Sequence, residues 1–385
     1  MERQVAVKTG SFMYIPAAVI LGFLRPLALT GGLDNPSFFD ADGSASGSPR
    51  TQDSISFTTV QGWNLLSLPL VQEDMSPESV FGDDFGEDFF SVYEYGGVLS
   101  GYLLADTLVH GQGFWLNSFD SRPVTAAGRR EAIVTGPLQL DWNLIGNPFP
   151  DRIEVCNLRF SDGTELKAMN DAARAGWLVN AVYSYSGGGY VVEQSVLEPW
   201  LGYWISLLRS DISIHYELRE FTPGSGSMEN RQSVAGNLML IRVTQESEDG
   251  IRNTGEAWFG TDGMATSGFD PVFDAPMPPA PLHRHSLQVG FEPSQGHSLL
   301  LRDIRNTTSD LWNLVVTSTD TGRVLVSWFS DGVAGRFDFV VLNSTEEIVA
   351  ESVDDGFEFT LHGTSERFIV ERRNPVGGNS ASNRE

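Results

Sequence analysis

Cysteine is almost missing from this chain. Cys156 is the only one, so no internal disulfide can form and no multi-cysteine metal framework is available. Lysine is nearly as scarce, at Lys8 and Lys167, and every other basic side chain is arginine. Lys plus Arg number 25 against 50 acidic residues, a formal net charge of -25. A field of that sign repels nucleic acid phosphates and anionic lipid surfaces, so neither is an expected partner. Long apolar runs are also lacking. The stretch Phe12 to Leu24 holds 13 mostly apolar residues, too few to span a bilayer but the length of a signal-peptide core, with an assembly strand as its other reading. Phosphate-cradling loops, dinucleotide fingerprints and His-Glu-x-x-His stretches are absent, and no Gly-x-Ser-x-Gly elbow stands before a helix.

What is present is said nearly twice. Gly62-Trp63-Asn64-Leu65-Leu66-Ser67-Leu68-Pro69 is echoed by Asp141-Trp142-Asn143-Leu144-Ile145-Gly146-Asn147-Pro148. Val92-Tyr93-Glu94-Tyr95 returns as Val182-Tyr183-Ser184-Tyr185, and Gly113-Phe114-Trp115-Leu116 as Gly202-Tyr203-Trp204-Ile205. The tryptophans of the first pair are 79 residues apart and those of the last 89, so one insertion lies between the first and second blocks. Fixed-order recurrence of this kind predicts two related structural units, and a scaffold before a reaction.

Period-two alternation such as Ile55-Ser56-Phe57-Thr58-Thr59-Val60, with glycine-rich turns at Gly96-Gly97 and Gly187-Gly188-Gly189, predicts short strands and hairpins. Helix is expected only near Ser76 to Phe81 and Leu166 to Ala175. The expected class is therefore all-β. An apolar N-terminal segment and flexible lead-in occupy residues 1–54, followed by β repeat unit 1 over 55–128 and β repeat unit 2 over 129–220. A Gly/Ser linker precedes a C-terminal β-sandwich over 234–373, and a disordered tail covers 374–385. The proline-rich stretch Asp270 to Pro281 is expected to cross between sheets in extended form.

Three groups of residues are candidates for chemistry. The aromatics Tyr93, Tyr95, Trp115, Tyr183, Tyr185 and Trp204 could form a platform that stacks on sugar rings; the competing reading makes them core. Asp262, Asp270 and Asp274 bring three carboxylates into a turn-rich loop suited to a hard cation, calcium being the candidate, while solvated turn-capping aspartates explain the same pattern. His283, His285 and His297 lack a cysteine or a further ligand at zinc spacing, and the acidic run Asp83 to Asp88 reads as a solvated loop.

The paired Gly-Trp-Asn and Gly-x-Gly-Phe-Trp blocks over about 55–210 resemble the recurring β-rich units of large exported or cell-surface proteins of Bacteroidetes-type bacteria. The third unit resembles the region that precedes a type IX secretion sorting domain, through Phe259-Gly260, Gly268-Phe269-Asp270, Asp303-Ile304-Arg305 and Phe357-Glu358-Phe359-Thr360; the sorting domain itself is absent after Arg373. The resemblance implies an extracellular or cell-surface location and no catalytic assignment. The expectation is a non-enzymatic structural or adhesion protein acting in assembly or display, with other surface proteins or copies of itself as partners. The alternative is a carbohydrate-binding accessory protein whose partner is a polysaccharide, with a calcium-stabilised loop.

Overall fold

Two matching asparagine clamps set the local geometry from which the first half of the molecule is built. In the computed structural model, Asn64 donates through Nδ2 to the carbonyls of Val60 (2.8 Å) and Gly62 (3.0 Å), while its Oδ1 accepts from the Val60 N–H (2.9 Å). Asn143 makes the same three bonds, to Gln139 O (2.8 Å), Asp141 O (3.0 Å) and from Gln139 N–H (2.7 Å). A short amide carries donors and an acceptor on one stem, so a single side chain closes each turn. The turn needs a left-handed residue just before the tryptophan. Gly62 supplies it at φ 92° and Asp141 at φ 75°, a conformation that aspartate tolerates better than most residues.

The structure describes residues 53–217 and 238–373, except 87–89, 187, 194, 247–249, 251, 283–285, 294–297, 310, 331–337 and 352–355. The apolar N-terminal segment and most of the lead-in, the Gly/Ser linker, Glu87 and Asp88, the three histidines 283, 285 and 297, and the tail lie outside the described residues.

From the first clamp, Gly62–Ser67, Gly113–Ser118, Phe90–Tyr95 and Tyr102–Leu104 pair in that order as an antiparallel sheet, beside a ribbon of Asp53–Thr58 and Pro123–Gly128. From the second, Asp141–Gly146, Gly202–Leu207, Val182–Ser186 and Gly189–Glu193 pair in the same order, beside Ile133–Leu138 and Ile212–Glu217. The extra length of the second set is a hairpin, Arg159–Ser161 with Leu166–Ala168, added to the ribbon and followed by the helix Met169–Arg174. The first set has the helix Pro77–Phe85 there, capped by Ser76 Oγ accepting from Ser79 N–H (3.3 Å), with proline in the first turn and Val80, Phe81 and Phe85 turned inward.

The remaining strands form one 11-stranded sheet. Its order is Ile348–Ala350, Asp338–Leu342, Ser365–Arg373, Leu311–Ser318, Leu287–Phe291, Leu300–Arg305, Arg252–Thr261, Leu238–Glu246, Gly322–Ser330 and Phe357–Leu361, with Ala275–Pro276 also paired to Leu300–Arg305. The sheet curls until it nearly closes. Trp328, on the strand next to one end of that order, meets Phe339, on the strand next to the other end, with ring centroids 5.2 Å apart. Phe259, Phe291, Trp312 and Phe368 complete the single core inside the curl. Where turn spacing leads to the expectation of a two-sheet sandwich, hydrogen bonding joins the strands into one continuous, barrel-like sheet. Spacing along the chain counts strands and is silent on whether the sheet breaks between them. Among the described residues no helix is long and apolar enough to cross a membrane.

Candidate functional site

The two strand sets grip each other through backbone. Ser67 N–H donates to Trp200 O (2.7 Å), and Gly146 N–H donates to Gly111 O (3.0 Å). Leu66 bridges Leu201 while Ile145 bridges Gln112. Every member of one contact is the counterpart of a member of the other, 79 or 89 residues away, so the contacts are exchanged as across an approximate two-fold axis. Close approach at this seam requires glycine. A Cβ on Gly113 would lie 2.7 Å from Ile145 O, and one on Gly202 would lie 2.6 Å from Leu66 O. Trp200 stands where the first set has Gly111 and keeps its left-handed backbone, φ 68° against 87°, while its ring stacks on Phe57 in the first set's core (6.2 Å).

The same exchange places the aromatics. Tyr95 meets Trp204 and Tyr185 meets Trp115, each across the seam and each at 4.8 Å between ring centroids, edge to face. Within each set, Trp63 meets Tyr93 and Trp142 meets Tyr183, both at 5.5 Å. All six residues of the aromatic group thus come together in one cluster. Trp115, Trp204 and Tyr183 are fully buried, and Tyr93, Tyr95 and Tyr185 are half-buried against them. Burial drives the phenols of Tyr183 and Tyr185 upward, the latter to about 12, so both stay protonated in any ordinary buffer. Edge-to-face pairs of this kind add about 0.5–1.5 kcal/mol each beyond their buried area.

Two further tyrosines complete the cluster, and they show what covers it. Tyr102 is the register partner of Tyr95, and Tyr190 of Tyr185. Their hydroxyls donate to adjacent carbonyls of the proline-rich stretch, Tyr102 to Ala280 O (2.9 Å) and Tyr190 to Pro279 O (2.7 Å). The stretch is anchored upstream by Ala275–Pro276 on Leu300–Arg305 and by Met277 N–H donating to Leu299 O (2.7 Å). It runs from the curled sheet onto the aromatic cluster as a strap. Contrary to the expectation of an extended crossing throughout, Asp270 to Asp274 turn on themselves, Phe273 N–H (3.0 Å) and Asp274 N–H (2.7 Å) both donating to Asp270 O. The single curled sheet also leaves no second sheet to cross to. From Ala275 onward the extended proline-rich backbone leaves its carbonyls free to accept. Tyr102 and Tyr190 lie outside the repeated Val-Tyr-x-Tyr blocks, and the signal for them is their place opposite Tyr95 and Tyr185 across the glycine turns that follow.

The three loop aspartates all serve backbone. Asp262 Oδ1 accepts from Met264 N–H (2.8 Å), Asp270 Oδ2 from Thr266 N–H (2.6 Å), and Asp274 from both Asp270 N–H (2.8 Å) and Ile304 N–H (2.9 Å). Among the described residues no group of three or more His, Cys, Asp or Glu side chains gathers as a metal ion would need. The loop is instead tied to the second strand set. Asn180 N–H donates to Pro271 O (2.7 Å), and the buried Arg302 guanidinium donates to Phe273 O (2.6 Å) and Asn180 O (3.0 Å).

Asp274 lies deep in this junction, and burial pushes its carboxyl up to about 7; neighbouring Asp303 adds to the rise, while the two amide donors and Arg302 oppose it. The folded chain therefore holds a proton that the unfolded chain releases at an ordinary carboxylate pKa. The free energy of unfolding is expected to fall by up to about 1.4 kcal/mol per pH unit between about pH 4 and 7, then level off. Denaturant melts of the wild type and Asp274→Asn across that window check this, since the variant should lack that component of the slope.

A crevice of about 10 Å³ between Gly189, Gly255, Met277 and Val289 has room for one water molecule. No protein-family model matches the chain, and no curated protein and no solved structure shows a significant likeness to it.

Proposed function

We propose that this chain is a non-enzymatic structural protein of the cell surface or extracellular space, acting in adhesion, assembly or display. In this reading a duplicated β unit forms a two-fold clasp, and the curled C-terminal sheet is welded to it by the proline strap. One observation carries the proposal. The aromatics recurring in both strand sets pack on one another across the seam and lie beneath the chain's own strap. A ring that stacks on sugar must offer an open face. Trp115 and Trp204, the largest rings of the group, offer none. The location rests on the resemblance of the paired blocks to exported Bacteroidetes-type proteins.

The carbohydrate-binding reading has the partial exposure of Tyr93, Tyr95 and Tyr185 on its side. Its calcium-stabilised loop draws less support, since each of the three carboxylates already accepts backbone N–H groups.

Two measurements test the proposal. The purified chain, with and without calcium, is applied to a glycan array and a panel of soluble polysaccharides, and intact producing cells are treated with external protease. The expected results are no retention by any glycan and cleavage of the chain from outside. Calcium-dependent glycan binding that is lost in Tyr95→Ala without loss of fold would replace this reading with the alternative. Full protection in intact cells, with cleavage only after lysis, would end the surface assignment.

A further inference from the structure

The exchange that builds the seam also lays the aromatic rings out as two matching arms. One runs Trp63, Trp115, Tyr185, Tyr190, with successive ring centroids 6.4, 4.8 and 5.5 Å apart. The other runs Trp142, Trp204, Tyr95, Tyr102, at 6.1, 4.8 and 5.5 Å. Each member of one arm is the counterpart of a member of the other, and each arm crosses the seam at its middle step. Both arms begin near solvent, at half-buried Trp63 and at Trp142, which keeps 8 % of its surface exposed.

The arms end together. Tyr102 and Tyr190 donate to the adjacent carbonyls Ala280 O (2.9 Å) and Pro279 O (2.7 Å), and their hydroxyls stand close enough for each to act on the other's proton. The strap thus brings together two phenols of opposite strand sets that are 88 residues apart in the chain. Tyrosine and tryptophan are the aromatic side chains that give up a single electron most readily, and rings in contact pass the resulting hole from one to the next. Two phenoxyl radicals couple at the ring carbons beside their oxygens, so hydroxyl ends held side by side are placed to join. The other tyrosine neighbours, Tyr95 with Tyr102 and Tyr185 with Tyr190, cross at 63° and 66°, which sets the edge of one ring on the face of the other instead.

We propose that the cluster is an oxidative cross-linking site, in which the two arms carry oxidising equivalents inward and Tyr102 and Tyr190 become joined through their rings as a dityrosine. Each phenol gives up one electron and one proton. The two radicals form one carbon–carbon bond, and the hydrogen on each bonded carbon then moves to the phenol oxygen and restores the ring. Two equivalents of a one-electron oxidant, such as the radicals that peroxides generate, take the two electrons, and the two protons pass to water. With a single cysteine, the chain has no disulfide to staple its two strand sets. This bond ties one set to the other and restricts the unfolded chain as a disulfide does.

Illumination of the full chain with tris(bipyridyl)ruthenium(II) and persulfate, which together deliver one-electron oxidation, tests the proposal. The expected product is a single chain lighter by two hydrogen atoms, with a dityrosine that peptide mapping by mass spectrometry places between Tyr102 and Tyr190. Its thermal midpoint should lie above that of the untreated chain. Tyr102→Phe and Tyr190→Phe should each lose this product. Tyr95→Phe with Tyr185→Phe keeps both coupling partners but removes one stage from each arm, so the yield should drop; urea melts establish that each variant is folded before oxidation. A folded wild type whose tryptophans and methionines are oxidised while Tyr102 and Tyr190 stay unlinked overturns the proposal. So does an equal yield of the Tyr102–Tyr190 link from the chain unfolded in urea, or an undiminished yield from the folded Tyr95→Phe, Tyr185→Phe chain.

Discussion

Trp204→Ala is expected to destabilise the folded chain by about 3–5 kcal/mol, and Trp115→Ala by a similar amount. Each indole is wholly buried, and each meets a tyrosine of the other strand set at 4.8 Å and a tryptophan of its own at 6.1–6.4 Å. Truncation leaves a cavity that the two-sided cluster cannot collapse into, because backbone bonds across the seam hold its walls apart. The two losses should not add. Both residues belong to one packed cluster, so removing the first loosens the setting of the second. Denaturant unfolding of both single variants and the double variant measures this. A cost below about 1 kcal/mol for either tryptophan would show that the cluster is not the centre of the clasp.

The glycines of the seam give the second large effect. Gly113→Ala and Gly202→Ala each drive a methyl group to within 2.7 Å of a backbone carbonyl on the opposite set, and backbone cannot swing aside as a side-chain tip can. Each is expected to cost about 2–3 kcal/mol. Gly136→Ala is the control, since a Cβ there meets nothing within 4 Å; it should be neutral or stabilise by up to about 1 kcal/mol by restricting the unfolded chain. Urea midpoints of the three variants decide the matter. Equal behaviour of Gly136→Ala and Gly202→Ala would mean that the two sets do not approach as closely as described.

Much of the clasp was legible in the chain because its signals are local. The Trp-Asn blocks announce turns that one side chain can close, and period-two alternation announces strands. The short apolar runs inside Leu238–Glu246, Leu311–Ser318 and Phe357–Leu361 read as strands from the chain alone. Arg252–Thr261, the strand on which the second hairpin rests, does not. Its Arg-Asn-Thr-Gly-Glu opening reads as a turn, and only pairing with Leu238–Glu246 on one side and Leu300–Arg305 on the other keeps it extended.

The candidate site was legible as a set of residues and illegible as an environment. Tyr93, Tyr95, Tyr183 and Tyr185 were open to reading as platform or core, because the exposure of an aromatic depends on what distant residues lay over it. Here these include Pro279 and Ala280, nearly 180 residues after Tyr102. Asp274 was likewise visible as a loop acid. Its near-neutral carboxyl follows from burial beside Arg302 and Asp303, which no spacing along the loop encodes.

By itself the amino-acid sequence determined the all-β class, the twice-repeated turn chemistry and the acidic, disulfide-free surface, since these follow from contacts between near neighbours and from composition. Tertiary structure alone decided that the C-terminal strands join into one curled sheet and that the repeated rings lie beneath a proline strap. Each of those depends on which remote segments meet, and the free energy of burial is gained only when they do.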